Sequence, residues 1–318
     1  MKIVMLESIG ISKSKVKEYA SKLENEGHEF IYYEDRVENE NKIIKRCKDA
    51  DIIIISNLPL TDKVIKKCSK LKMISVAFTG IDHIDIESCK KENIMVCNSS
   101  GYADEGVAEL TFGLIISVMR NIISCDKATR NGETREALIG NEICGKKLGI
   151  VGTGNIGKRV AEIGKAFNCQ LLGYDKVEKD ELKNIGLKYV ELDKLMQESE
   201  IVTLHVPLKE DTESLINEKR ISQMRSDSIL INTSRGPVVE SKPLAKALKN
   251  GDIAGAGIDV FEKEPPISGD HPLLNVSNVV VTPHVAFATE EAFIKRADIV
   301  FKNINKWLNN NPQNIMIK

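Results

Sequence analysis

Most of what would mark a specialised chain is scarce in this sequence. Aromatic residues make up only 5% of the chain, with a single tryptophan. Charge is balanced, with 45 basic residues against 46 acidic ones, and no basic run is interleaved with aromatics. A nucleic-acid surface needs clustered positive charge, so nucleic acid is not an expected partner. Long apolar runs are missing too. The longest, such as "IIII" at 52–55, are strand-sized, far below the roughly 20 residues of a membrane span. The opening "MKIVMLESIG" enters a strand pattern directly. It has no charged leader followed by a long apolar core, so no secretory signal is expected and a cytoplasmic protein is. Cysteine is present seven times, at 47, 68, 89, 97, 125, 144 and 169. The number is odd, the spacings are wide and no C-x-x-C occurs, so neither a disulfide framework nor a zinc site is expected. These thiols read as reduced and mostly packed as small hydrophobes.

What is present is alternation. At 318 residues the chain is too long for one ordinary core, and its 42% apolar and 29% charged content suits a globular protein of two domains. "KIVML" (2–6), "EFIYY" (29–33), "DIIIIS" (51–56), "KMISVAF" (72–78) and "IMVCN" (94–98) read as strands. Lys/Glu-rich segments at helical spacing separate them, for example residues 14–27 ending in Gly27. Near-continuous apolar strands alternating with helices imply parallel sheets covered on both faces. A second series begins near residue 146: "KKLGIVG", "CQLLGYD", "EIVTLHV", "SILINTS", "AGAGIDV" and "NVVVTPH". Its spacing is that of repeated βα units. Between the two series, 102–130 has few breakers and is expected to form one long helix, placed at a domain junction or a subunit interface. Residues 289–313 read as a last amphipathic helix ended by Asn309 to Pro312.

The segment "GIVGTGNIGKRVAEIGKAFNCQLLGYD" carries the first specific chemistry. Gly152, Gly154 and Gly157 form G-x-G-x-x-G after an expected strand and at the start of an expected helix. The next strand ends on Asp175, 23 residues after the first glycine. In that context the motif binds a dinucleotide. Gly152 permits the tight turn, Gly154 lets backbone approach the pyrophosphate, and Gly157 lets helix and strand pack closely. Asn155 and Ile156 lie where the helix begins. Asp175 can accept hydrogen bonds from the adenine ribose, and its charge would repel a 2′-phosphate, so NAD is expected over NADP.

Three further strand ends carry unusual residues. "LINTSRGPVV" places Arg235 just past an apolar strand. "AGIDVFEKEPP" offers Asp259, Glu262 and Glu264. "VVVTPHVAFATEE" ends a β-branched run, read as a buried strand, on His284, which could be a buried structural ring, a metal ligand or a proton-transfer group. Ligands of open α/β sheets bind outside the carboxyl ends of the strands, where these residues fall. No convergent His/Cys/acid set at metal spacing accompanies them, so no metal is expected.

Taken in order, "GTGNIG" with Asp175, "LINTSRG", "GIDVFEKEP" and "VVVTPH" resemble the D-isomer-specific 2-hydroxyacid dehydrogenase family. The likeness extends to "FTGIDHIDI" (78–86), "YADEGVAE" (102–109) and "LHVPL" (204–208), so it spans essentially the whole chain. It implies two doubly wound α/β domains: a Rossmann NAD-binding domain, residues 101–286, inserted into a flavodoxin-like substrate domain built from 1–100 and 287–318. It implies a homodimer, with the 102–130 helix at its interface. By the same resemblance Arg235 binds the substrate's carboxylate and keto oxygen, His284 is the acid/base and Glu264 its carboxylate partner. The amides of Thr79, Gly80 and Ile81 hold the carboxylate. Thr233 and Asp259 face the nicotinamide side of the cofactor and Pro207 the adenosine side, and Arg235 and His284 also belong to the cofactor-binding set. Glu264 is preferred to Glu262 because the family places the partner immediately before a proline. Among other histidines, His83 lies in the carboxylate loop and His205 in a strand lining the cofactor site. His28 and His271 read as surface or loop residues.

The resemblance narrows the substrate. The loop "SVAFTGID" has Ala77 and Phe78 where relatives acting on 3-phosphoglycerate carry a basic residue and phosphite-oxidising relatives a lysine. No C-terminal regulatory extension is seen. Formate-oxidising relatives have glutamine at the position of Glu264. Asp104 departs from the family's commoner hydroxyl residue. "PHVAFATEEA", with Phe287, looks more like hydroxypyruvate/glyoxylate reductases and other small 2-oxoacid reductases. The expectation is therefore an oxidoreductase that reduces a small unphosphorylated 2-oxoacid to the D-2-hydroxyacid. Two alternatives remain: a D-3-phosphoglycerate dehydrogenase, and a non-catalytic NAD-sensing interaction protein.

Overall fold

The computed structural model describes all 318 residues and divides them into two compact units, Met1–Ala103 with Ala288–Lys318, and Asp104–Phe287. Thirteen strands occur in chain order: β1 Lys2–Met5, β2 Glu29–Tyr32, β3 Ile52–Ile55, β4 Met73–Val76, β5 Met95–Cys97, β6 Lys147–Val151, β7 Gln170–Tyr174, β8 Lys188–Tyr189, β9 Ile201–Leu204, β10 Ile229–Asn232, β11 Gly255–Ile258, β12 Val279–Val281 and β13 Ile315–Ile317.

The first unit carries the sheet β13-β5-β4-β3-β1-β2. β1 to β5 are parallel, and β13 joins β5 antiparallel. Read from β2 this is the flavodoxin-like order 2-1-3-4-5 with an added edge strand. Every residue of β3 is fully buried. Period two assigns them to opposite faces. Ile53 and Ile55 join Val4, Ile74 and Val76 in one cluster, whereas Ile52 and Ile54 join Ile3, Met5 and Met73 in another. The helix Glu290–Leu308 returns onto the second of these faces through Ala297, Val300, Phe301 and Ile304. Thr289 caps it, its hydroxyl accepting the Ala292 N–H at 3.0 Å.

The second unit carries β12-β11-β10-β9-β6-β7-β8, all parallel. Counted from β6 this is 3-2-1-4-5-6 plus one strand, the Rossmann order. Its two faces alternate in the same way, Val202 and Leu204 against one set of helices and Leu148, Ile150 and Ile201 against the other.

Four sequence expectations need amending. The single helix over 102–130 is two, Asp104–Met119 and Ile122–Arg130, bent by 59° at the break. Asn121 adopts φ +53° there, a left-handed conformation that asparagine tolerates and that no helix can propagate. No single helix is long and apolar enough to cross a membrane. β12 is a half-buried edge strand rather than a core strand, because nothing pairs with its outer side. β8 and β13 are additional strands. They are two and three residues long, too short for a periodic signal to show.

Candidate active site

All the candidate residues of the second unit follow the carboxyl ends of its strands, and because the sheet is wholly parallel those ends share one edge. After β6 comes the glycine turn. Gly152 has φ +90°, and a Cβ there would lie 2.6 Å from the carbonyl oxygen of His205. A Cβ on Gly157 would lie 2.0 Å from the carbonyl oxygen of Gly152, so the helix Asn155–Ala166 packs backbone to backbone against the turn. A Cβ on Gly154 would meet nothing within 4 Å, so its open side leaves room for a phosphate to approach the backbone. Asn155 and Ile156 open the helix, and no side chain caps it. Its first N–H groups therefore stay available to an anion.

Asp175 ends β7. One of its oxygens, Oδ2, accepts the Thr153 N–H at 2.6 Å and the Thr153 hydroxyl at 3.1 Å. That hydroxyl also meets the Tyr189 hydroxyl at 2.9 Å. The middle residue of G-T-G thus steers the acid, a role the motif alone does not reveal. These features together fit NAD: an open Gly154 backbone, an uncapped helix start and a carboxylate held at the next strand end.

After β9, the His205 ring is enclosed. Its Nε2 meets the Thr203 hydroxyl at 3.0 Å, and its Nδ1 has no partner. Burial pushes its pKa down to about 3, which keeps the ring neutral. Pro207, two residues on, accepts the Thr212 hydroxyl at its carbonyl, 2.6 Å away.

The turn after β10 is shaped by Asn232. Its Oδ1 accepts the Ser234 N–H at 3.0 Å and the Ser234 hydroxyl at 2.8 Å, while its Nδ2 donates to the Arg235 carbonyl at 3.0 Å. This asparagine turn presents Arg235 in extended backbone, φ −145°. Gly236 follows, and a Cβ there would strike the Phe261 carbonyl carbon at 2.0 Å, locking this turn to the one after β11. Thr233 is buried, and its hydroxyl is within 3.0 Å of that of Thr111.

Asp259, after β11, has no solvent exposure. Its Oδ1 accepts the Thr282 hydroxyl at 2.6 Å and the Val285 N–H at 2.9 Å, and its Oδ2 accepts the Ala286 N–H at 2.9 Å. Its carbonyl takes the His284 N–H at 2.7 Å. Burial pushes its pKa above the usual carboxylate value, and these donors pull it back. The carboxylate therefore grips the turn that carries His284, which sits at φ +54°.

His284 meets Glu264 directly, Nδ1 to Oε1 at 2.5 Å. The second oxygen of Glu264 accepts the Phe261 N–H at 3.1 Å. The Phe287 ring stands edge-on to the imidazole at 5.4 Å. The His284 side chain is 30% exposed, so the ring is fixed by Glu264 and still partly open to solvent. Glu262 is engaged elsewhere, 2.9 Å from Nε2 of His271. His284, Glu264, Asp259 and Arg235 thus belong to turns that are tied to one another.

Thr79, Gly80 and Ile81 lie in the first unit, in the turn after β4. His83 shares the segment, its carbonyl accepting the Leu60 N–H at 3.0 Å.

Comparison with known proteins bears on this arrangement. A family model described as the NAD binding domain of D-isomer specific 2-hydroxyacid dehydrogenase matches residues 112–286. A glyoxylate reductase of Korarchaeum cryptofilum (strain OPF8) is 38% identical over 291 residues, 89% of this chain and 87% of that protein. The chain belongs to the D-isomer specific 2-hydroxyacid dehydrogenase family. A hydroxypyruvate reductase of Blautia hydrogenotrophica is 31% identical over 327 residues, covering 100% of both. Among solved structures, an acyclic imino acid reductase in complex with NADPH and D-Arg superposes with a TM-score of 0.90 at 33% identity, covering 100% of both chains. As a member of the family, the chain is an NAD-dependent oxidoreductase acting on CH–OH donors.

Proposed function

We propose that this dehydrogenase reduces a small unphosphorylated 2-oxoacid, glyoxylate or hydroxypyruvate, to the D-2-hydroxyacid. The observation that carries the reading is the His284–Glu264 pair, partly exposed and anchored to backbone through Glu264, on the strand edge that also bears the dinucleotide fingerprint. Bound NADH supplies the hydride that reduces the carbonyl carbon. As negative charge grows on the substrate oxygen, Arg235 stabilises it and protonated His284 donates its proton there. Glu264 orients the ring through Nδ1, leaving Nε2 to face the oxygen. In the reverse direction neutral His284 takes the proton back. The amides of Thr79, Gly80 and Ile81 receive the carboxylate. The loop offers Ala77 and Phe78 rather than a basic side chain, which favours a substrate without phosphate.

Two attributes complete the proposal. A homodimer is supported by the apolar side chains presented by residues 122–139, with Ile123 61% and Ile139 89% exposed. A cytoplasmic setting is supported by the exposed Cys144 thiol, which suits a reducing compartment.

The test is NADH oxidation, followed by absorbance, with glyoxylate, hydroxypyruvate, pyruvate and 3-phosphohydroxypyruvate. Highest kcat/KM on glyoxylate or hydroxypyruvate is expected. Preference for the phosphorylated ketone refutes the substrate assignment, and inactivity on all four refutes the reductase.

A further inference from the structure

Two successive carbonyls in the turn after β4 are held from the same side. The Ser99 N–H donates to the Phe78 carbonyl at 2.9 Å. The Asn98 side chain donates through Nδ2 to the Thr79 carbonyl at 2.8 Å. Both peptide units are trans, since the one cis bond of the chain is Pro265–Pro266. In a trans peptide the N–H points opposite to its C=O. The N–H groups of Thr79 and Gly80 therefore point together, away from the 98–99 segment, and no hydrogen bond within the protein engages them. Two successive amides aimed one way form a small concavity for an anion.

Asn98 is itself fixed. It is 3% exposed. Its N–H donates to the Asn314 carbonyl at 3.1 Å, and its carbonyl accepts from Nδ2 of Asn303 at 2.8 Å. Its side-chain oxygen accepts the Ser100 N–H at 3.3 Å, so both ends of the amide are used and its orientation is set. Asn303 is fully buried, and its own oxygen accepts from Gln313 and Asn314, each at 3.0 Å. Phe78 is backed by the Arg296 guanidinium, 5.3 Å from its ring centre, and by the Tyr102 edge at 6.2 Å. The turn is thus held by one side chain, Asn98, at the peptide that matters.

We propose that Asn98 is a positioning residue for carboxylate recognition: it pins the Thr79–Gly80 peptide so that the Gly80 N–H faces the substrate's carboxylate. This rests on reading the 79–81 turn as the carboxylate's seat. A purely architectural tether would affect every substrate alike. A positioning residue affects those with a carboxylate.

The experiment compares kcat/KM for glyoxylate and for its methyl ester, which lacks the negative charge, together with NADH affinity. In Asn98→Ala the KM for glyoxylate rises about 10-fold or more, the scale of one lost hydrogen bond to a charged group. The kcat, the ester rate and NADH affinity change by less than about 3-fold, within the ordinary scatter of such effects. Equal loss on acid and ester, or an unchanged KM for glyoxylate, overturns the inference. The near-isosteric Asn98→Asp supplies a second readout if the alanine variant fails to fold. Its carboxyl can donate to the Thr79 carbonyl only while protonated, so its KM for glyoxylate climbs as pH rises, over and above any trend in the unmutated enzyme. A parallel pH course in both overturns the inference. Turnover of glyoxylate by the unmutated enzyme is the control. Its absence refutes the reductase reading itself, whereas its presence with an unaffected Asn98→Ala variant refutes only the role of Asn98.

Discussion

Glu264 divides its two oxygens between His284 and the backbone: Oε1 lies 2.5 Å from Nδ1 of the ring, and Oε2 takes the Phe261 N–H. The carboxylate therefore fixes both where the imidazole sits and which nitrogen faces forward. Glu264→Gln keeps the shape but can present its NH₂ to the ring. A drop in kcat of about 100-fold is expected, and His284→Ala should lose about 10²- to 10⁴-fold, the usual worth of general acid catalysis. NADH titration should remain close to that of the unmutated enzyme in both. Full turnover by either variant removes the proton-transfer assignment.

Asp259 acts on the same histidine through the turn that carries it. Its carboxylate is spent on Thr282, Val285 and Ala286. Asp259→Asn replaces one acceptor oxygen by a donor aimed at a backbone N–H. The His284 turn then loses its grip, and kcat should fall about 10- to 100-fold, as misplacement of a reacting group does. NADH affinity should change less than kcat. If the affinity loss is the larger of the two, Asp259 serves the nicotinamide more than the turn.

Cofactor choice is expected to rest on Asp175. The NADPH-bound neighbour shows that a closely similar fold accepts the phosphorylated cofactor. Asp175→Ser removes the charge that would oppose the 2′-phosphate. kcat/KM with NADPH should rise about 10-fold or more relative to that with NADH, which is the discrimination a single repulsive charge supplies. A ratio identical to the unmutated enzyme's places the discrimination elsewhere.

His205 predicts an acid sensitivity. Its ring is neutral in the folded protein down to about pH 3 and protonates near 6.5 when unfolded. Between those values the unfolded state binds the extra proton. The stability contribution is therefore complete above about pH 6.5 and is lost as pH falls toward 3, at up to about 1.4 kcal/mol per pH unit. Urea midpoints at pH 7 and pH 5 should differ less in His205→Gln than in the unmutated protein. Parallel shifts in the two proteins show that the ring is not what titrates.

Gly157→Ala tests the packing of helix on turn. The added methyl would sit 2.0 Å from the Gly152 carbonyl oxygen, a backbone atom, so the turn or the helix must shift. A loss of about 1–3 kcal/mol is expected from such overpacking, together with weakened NADH binding. Urea unfolding and NADH titration read the two effects separately.

The folding pattern was legible where segments were long or chemically marked. Six apolar segments after residue 146 appear as β6, β7, β9, β10, β11 and β12, because βα alternation is written in hydrophobicity. The break at Asn121 was hidden, since the residues on either side keep a helical composition and only the backbone torsion reveals it. At the site, the proline after Glu264 separated it from Glu262, and the structure gives Glu262 a histidine of its own. What sequence could not show is support. Thr153, Asn232, Thr282 and Asn98 act through a few local hydrogen bonds to backbone or carboxylate. Such bonds leave no periodic or spacing signal, although "N-T-S" is a recognisable asparagine turn.

β13 has a further consequence. It closes the first sheet against β5, and just before it the Asn314 carbonyl takes the N–H of Asn98, whose side chain holds the Thr79 carbonyl. A displacement of residues 314–317 is thus two hydrogen bonds away from the Gly80 amide. On the proposed role of the 79–81 turn, fraying of this tail is expected to register as weaker carboxylate affinity before any loss of the fold.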